Sequence, residues 1–112
     1  MKIYIAGPYS HPDPVINTRN AIRAADIVVE KGHIPYIPHL TMFWHLVSPH
    51  RLEFWYEYDK VWLRFCNAVL RLPGDSKGAD DEMALATSLG LPIYHDFNEI
   101  PEGVEYGSQQ GS

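Results

Sequence analysis

A single cysteine, Cys66, leaves this 112-residue chain without the pair that an internal disulfide requires. That usage suits a reducing compartment, and a cytoplasmic location is expected. Long apolar runs are missing as well. No stretch approaches the roughly 20 apolar residues that would span a bilayer, so no membrane partner is expected. The opening MKIYIAGPYS holds no extended apolar segment before a small-residue cleavage site, which speaks against a secretory signal. Basic residues are scarce too: nine Lys and Arg face 14 Asp and Glu, for a net charge of −5. A binder of nucleic-acid polymers needs a basic stripe to neutralise phosphates, and this balance argues against one. GxGxxG, the turn that holds dinucleotides, is absent. The histidines form no metal pattern, because His39, His45 and His50 lack helical ligand spacing and have no accompanying carboxylate. Neither a metal nor a cofactor is expected.

What is present reads as one small domain over residues 1–106, followed by a polar tail over 107–112 (GSQQGS) that is expected to be disordered. Residues 2–6 (KIYIA) form a short apolar strand ended by Gly7-Pro8. Asp13-Pro14 supplies an N-cap and a first-turn proline, and Ala21, Ala24, Ala25, Val28 and Val29 follow at helical spacing. That helix should stop at Gly32. Residues 33–37 suggest a second strand, which Pro35 confines to a sheet edge. Residues 38–49 (PHLTMFWHLVSP) show no clear period, yet are too apolar for a solvated loop. They read as a lid, a pocket wall or a subunit contact. A helix over 50–65, a strand over 67–72, a helix over 78–89 and a strand over 92–95 complete the chain. Such alternation predicts a single-domain α/β fold: a flavodoxin-like or Rossmann-like parallel sheet of four to five strands flanked by helices. Ligands bind such sheets beyond the carboxyl ends of the strands.

Two acids sit where acids are costly. Residues three and four apart share a helix face. Glu82 has Ala79 before it and Leu85, Ala86 and Leu89 after it at those intervals, which places it on the stripe that should face the sheet. Asp59 lies likewise among Trp55, Tyr56, Trp62 and Leu63. Glu57, between Glu53 and Lys60, reads instead as solvated surface. One buried acid is as often a satisfied core group as a functional one. Two, on helices flanking one strand, favour a site, and paired carboxylates in distinct environments suit glycoside-type chemistry. Ser76 and the amides around Gly78 form an anion or hydroxyl site at a helix start, although Ser and Gly are also common caps. Tyr4, mid-strand between Ile3 and Ile5, reads from the pattern alone as a core filler.

Together these pieces resemble the nucleoside 2-deoxyribosyltransferase superfamily, which includes the 2′-deoxynucleoside 5′-monophosphate N-glycosidases. IYIAGPYS is similar to its first strand and glycine turn. YEYDKVWLRFCNAVLRLPG resembles the helix with its working Asp and the following strand. DSKGADDEMALATSLGLPIY resembles the Ser-x-Gly turn that leads to its nucleophilic Glu. The resemblance implies that Glu82 is the nucleophile, Asp59 assists proton transfer or holds the sugar, and Tyr4 orients Glu82. It also implies that Gly7, Ser76 and Gly78 line the sugar 5′ end or phosphate. Ser76 stands six residues before Glu82, where some transferases carry an Asp that reads the base; a serine there is closer to the nucleotide-hydrolysing branch.

The expected activity is cleavage of the N-glycosidic bond of a (2′-deoxy)nucleoside or nucleoside 5′-monophosphate through a covalent glycosyl-Glu82 intermediate. Water resolves that intermediate in an N-glycosidase and another base does so in a deoxyribosyltransferase. Tyr9, Ser10, His11, His39, Phe43 and Trp44 are candidates for the substrate pocket, with Tyr9, Ser10 and His39 preferred. The family also implies a homodimer or larger homo-oligomer, and residues 42–47 are apolar enough to need covering. The rival from another class is a catalytically silent nucleotide-binding module. A glycosidase acting on a larger N-riboside, such as a dinucleotide, is a third option that the small chain disfavours.

Overall fold

The computed structural model describes residues 1–103; the tail expected over 107–112 lies outside them. Four strands, β1 (Lys2–Ala6), β2 (Ile34–Tyr36), β3 (Ala68–Arg71) and β4 (Ile93–Tyr94), form one parallel sheet in the order β2-β1-β3-β4. Four α-helices cover it: α1 (Pro14–Glu30), α2 (Met42–Val47), α3 (Leu52–Leu63) and α4 (Lys77–Ser88).

Strand alternation distributes the core. Ile3 and Ile5 point to one face, where Ala21, Ala24 and Val28 of α1 meet them together with Ala68, Leu70 and Ile100. Tyr4, Ala6 and Val69 point to the other face, against Leu63 at the end of α3, Cys66 in the turn after it, and Ala79 and Ala86 of α4. Both faces of β1 are therefore buried, which is why KIYIA is apolar almost throughout rather than alternating. Small residues on α1 and α4 let the helices lie close to the sheet.

The helix ends follow the sequence signals. Asp13 accepts from the amides of Val15 at 2.9 Å and Ile16 at 3.2 Å, and Pro14 occupies the first turn of α1. Gly32, at φ +88°, turns the chain out of the helix in a backbone state that glycine adopts at little cost. β2 lies at the sheet edge, paired with β1 alone, as Pro35 requires.

Within residues 38–49, Pro38–Thr41 makes a 3-10 turn and Met42–Val47 forms α2. At six residues, α2 is too short to display a period. Leu89, placed on the buried stripe of α4, lies past its end and is exposed, because the helix closes at Ser88.

The strand order locates the site. From β1 the chain crosses to β2 on one side, and the next crossover places β3 on the other side of β1. Loops leaving the carboxyl ends of β1 and β3 therefore diverge and open a crevice between them.

Candidate active site

A cavity of about 770 Å³ fills that crevice. Its walls come from the turn after β1, the 3-10 turn and α2, one face of α3, and the start of α4. Glu82 reaches it from the second turn of α4, where buried Ala79 on its own face fixes the helix against the sheet. Beneath the carboxylate lies Tyr4, fully buried, whose hydroxyl donates to Glu82 Oε2. The Tyr4 ring stacks on Tyr36 with centroids 5.5 Å apart, and Tyr36 stacks on Trp62 at 5.6 Å. This three-ring column fixes the hydroxyl under the carboxylate. Burial, with the charges of Glu82 and Asp59 adding to it, pushes the Tyr4 pKa well above the usual phenol value. Tyr4 therefore remains a proton-bearing donor.

Asp59 lines the same cavity from α3. Burial first, then the Glu82 charge, raises its pKa to about 8. Burial raises Glu82 to about 7, opposed by the Tyr4 hydrogen bond and by the charges of Arg71 and Lys60. The two carboxyls titrate as a coupled pair, and the hydrogen bonds decide which one holds the proton. Glu82 accepts from Tyr4, which favours its ionised form. Asp59 Oδ1 is buried with no partner among the described residues, which favours the protonated form. The hydrogen bonding thus favours Glu82 as the carboxylate of the pair and Asp59 as its carboxylic acid.

The remaining candidates also face this cavity, namely Gly7, Tyr9, Ser10, His39, Ser76 and Gly78. At Gly7 a Cβ would stand 3.0 Å from Leu72 Cβ, so the β1 turn passes tightly over the end of β3. At Gly78 it would stand 3.1 Å from the Tyr56 ring, which lies over the start of α4. Ser76 caps α4, its Oγ accepting from the Ala79 amide at 3.1 Å. His39 is buried, and its Nε2 donates to the Pro8 carbonyl at 3.0 Å. Burial lowers the His39 pKa, against a smaller upward pull from the Pro8 and Gly7 carbonyls. Its Nδ1 is left as an unpaired acceptor among the described residues.

Phe43 and Trp44 do not belong to the cavity. Phe43 is 72% exposed, and Trp44 packs edge-on against Trp55 at 5.0 Å. The wall assigned to them is built instead by His45, His50, Trp55 and Tyr56. Trp55 Nε1 donates to His45 Nδ1 at 2.8 Å and so fixes that ring. Without a period over 38–49, the sequence offered no way to tell the inward side chains of α2 from the outward ones. Arg71 was also missed, although a lone cation ending the apolar run NAVLRL was a visible signal. No group of three or more metal-ligating side chains occurs among the described residues.

Residues 1–96 match the family model described as a domain of unknown function (DUF7768). The chain belongs to this family. A comparison with curated proteins returns no match. Among solved structures, this DUF7768 chain is similar to a 2-deoxyribosyltransferase from the psychrotolerant bacterium Bacillus psychrosaccharolyticus, with a TM-score of 0.65 and 16% identity over 96% of this chain and 95% of that one. It is also similar to a 2-desoxiribosyltransferase from Leishmania mexicana, with a TM-score of 0.60 and 24% identity over 82% of this chain and 61% of that one. At these identities the likeness is one of fold.

Proposed function

We propose that the protein cleaves the N-glycosidic bond of a 2′-deoxynucleoside or its 5′-monophosphate, with Glu82 as nucleophile and Asp59 as proton donor. The observation that carries this reading is two carboxyl groups, Glu82 and Asp59, sharing one cavity, with Glu82 held by a buried tyrosine. Glu82 attacks C1′ of the sugar, and the bond from C1′ to the base nitrogen breaks with its electron pair leaving on the base. Asp59 gives that base its proton. The glycosyl ester on Glu82 is then opened by water, with Asp59 as base, or by the ring nitrogen of a second base. Tyr4 holds the Glu82 oxygen in line, and its hydroxyl hydrogen bond stabilises the negative charge that returns to the Glu82 carboxylate as the ester opens. The cavity walls are rich in aromatic rings, Tyr9, Trp55 and Tyr56 among them, which suits a flat base.

The test is to incubate the protein with a panel of nucleosides and 5′-monophosphates and to separate free base by chromatography. Base release that depends on Glu82 is expected. Absence of release across the whole panel would overturn the reading. Repeating the assay with a second free base distinguishes transfer from hydrolysis.

A further inference from the structure

His45 lines the cavity but takes no part in the chemistry above. Two donors converge on its Nδ1: the Trp55 indole Nε1–H at 2.8 Å and the His50 backbone N–H at 3.3 Å. An indole nitrogen and a backbone amide can only donate, so Nδ1 accepts and the ring hydrogen sits on Nε2. Trp55 is itself held firmly. It is 9% exposed, and its ring packs edge-on against Trp44 and, at 4.9 Å, against Phe54. The Nε2–H of His45 has no partner among the described residues and, unlike Asp59 Oδ1, it is not buried. The cavity wall thus carries a hydrogen-bond donor of fixed tautomer that is left for a ligand.

Its place relative to the carboxyl pair indicates which part of a ligand it meets. The bond from the His50 amide puts His45 beside the N-terminal end of α3, which begins at Leu52. Asp59 shares a face of α3 with Trp55 one turn further along, about 6 Å by the helix rise. With C1′ at Glu82 and the glycosidic nitrogen beside Asp59, a flat base lying along α3 carries its far edge toward His45. Resting on the glycosidase reading above, we propose that His45 is a specificity-determining residue. Its Nε2–H donates to a carbonyl oxygen on the base edge opposite the glycosidic nitrogen, which selects 6-oxopurines and 4-oxopyrimidines over their amino counterparts. A carbonyl oxygen there completes the bond. An exocyclic amino group instead turns an N–H toward an N–H, and the Trp55 bond denies the ring the other tautomer, which would accept it.

The test uses two substrate pairs that differ at that edge: deoxyinosine with deoxyadenosine, and deoxyuridine with deoxycytidine. Base release is measured with Glu82 intact, and binding is measured by calorimetry in Glu82→Gln, where the substrate persists. The wild type should favour the oxo member of each pair by on the order of tenfold, the value of one hydrogen bond. His45→Phe keeps a ring but no N–H, and should bring both members of a pair to similar affinity. His45→Gln, whose amide rotates to donate or accept, should narrow the preference as well, and it decides the matter should His45→Phe fail to fold. A merely structural role for His45 would weaken both members alike and leave their ratio unchanged. Equal or better use of the amino members by the wild type, or a ratio that survives both substitutions, would overturn the proposal. A protein that releases no base, yet binds the oxo members more tightly through His45, would uphold His45 and overturn the glycosidase reading instead.

Discussion

Glu82 illustrates how a residue can be unfavourable for folding while the proposed chemistry depends on it. Its raised pKa means that the folded protein binds its proton more tightly than the unfolded chain does. Stability attributable to Glu82 is therefore fully present below the unfolded carboxylate range, near pH 4, and is lost as pH rises through about 7. Asp59 adds to the same trend up to about pH 8. Glu82→Gln keeps an oxygen for Tyr4 but removes the ionisation, so its melting temperature should exceed that of wild type by more at pH 8 than at pH 5. Base release should behave oppositely, falling more than about a thousandfold, since loss of covalent catalysis costs several kcal/mol of barrier. Near-normal turnover by Glu82→Gln would end the nucleophile assignment. Asp59→Asn should also slow release, but least for substrates whose base leaves without proton assistance. With Glu82 needed as carboxylate and Asp59 as acid, the rate should climb through about pH 7 and fall through about pH 8. A profile flat from pH 5 to 9 would contradict that division of roles.

Among the elements, α1 and α4 do different work with similar means. Both are capped by an oxygen side chain, Asp13 for α1 and Ser76 for α4. The Asp13 cap stands outside the cavity and serves the fold, so Asp13→Ala should cost about 1 kcal/mol in a urea melt. Unchanged stability would mean that the α1 start is held mainly by other contacts, such as the Asn17 amide bonds to the Tyr9 and His11 carbonyls. Those two bonds, each 2.9 Å, tie the cavity turn back to the first turns of α1. The Ser76 cap stands in the cavity wall, so its loss would be felt by ligand as well as by the helix.

Over the whole molecule, the outer surface of α2 and the loop after it stands out. Phe43, Leu46 and Val47 are 72%, 67% and 85% exposed, while the inner side of the same segment contributes His45 and His50 to the cavity. Contiguous apolar surface of this kind is usually covered. A homodimer or larger assembly that buries it is expected, and sedimentation at micromolar concentration checks it. Leu46→Glu should shift that assembly toward monomer; a wild type that is monomeric throughout would refute the expectation. No described helix is long and apolar enough to cross a membrane.

Much of this architecture follows from local signals that need no tertiary context. KIYIA, Asp13-Pro14, Gly32 and Pro35 each state a strand, a cap, a stop or an edge, because backbone sterics and the missing proline N–H act within a few residues. The positions of Glu82 and Asp59 on apolar helix faces were legible for the same reason: helical periodicity turns spacing into direction. Glu57 likewise sits on the surface as read, paired with Lys60. Other features depended on which elements meet. A six-residue helix has no period to read, so which side chains of residues 38–49 turn inward was settled only by packing against α3. Tyr4 looks like any core tyrosine in the strand pattern, and only the approach of α4 brings Glu82 onto its hydroxyl. Which carboxyl keeps the proton depends on burial and hydrogen-bond partners that come from three separate elements. Local sequence determines what each element is and which face it must hide; the electrostatics of the site exist only once those faces have been brought together.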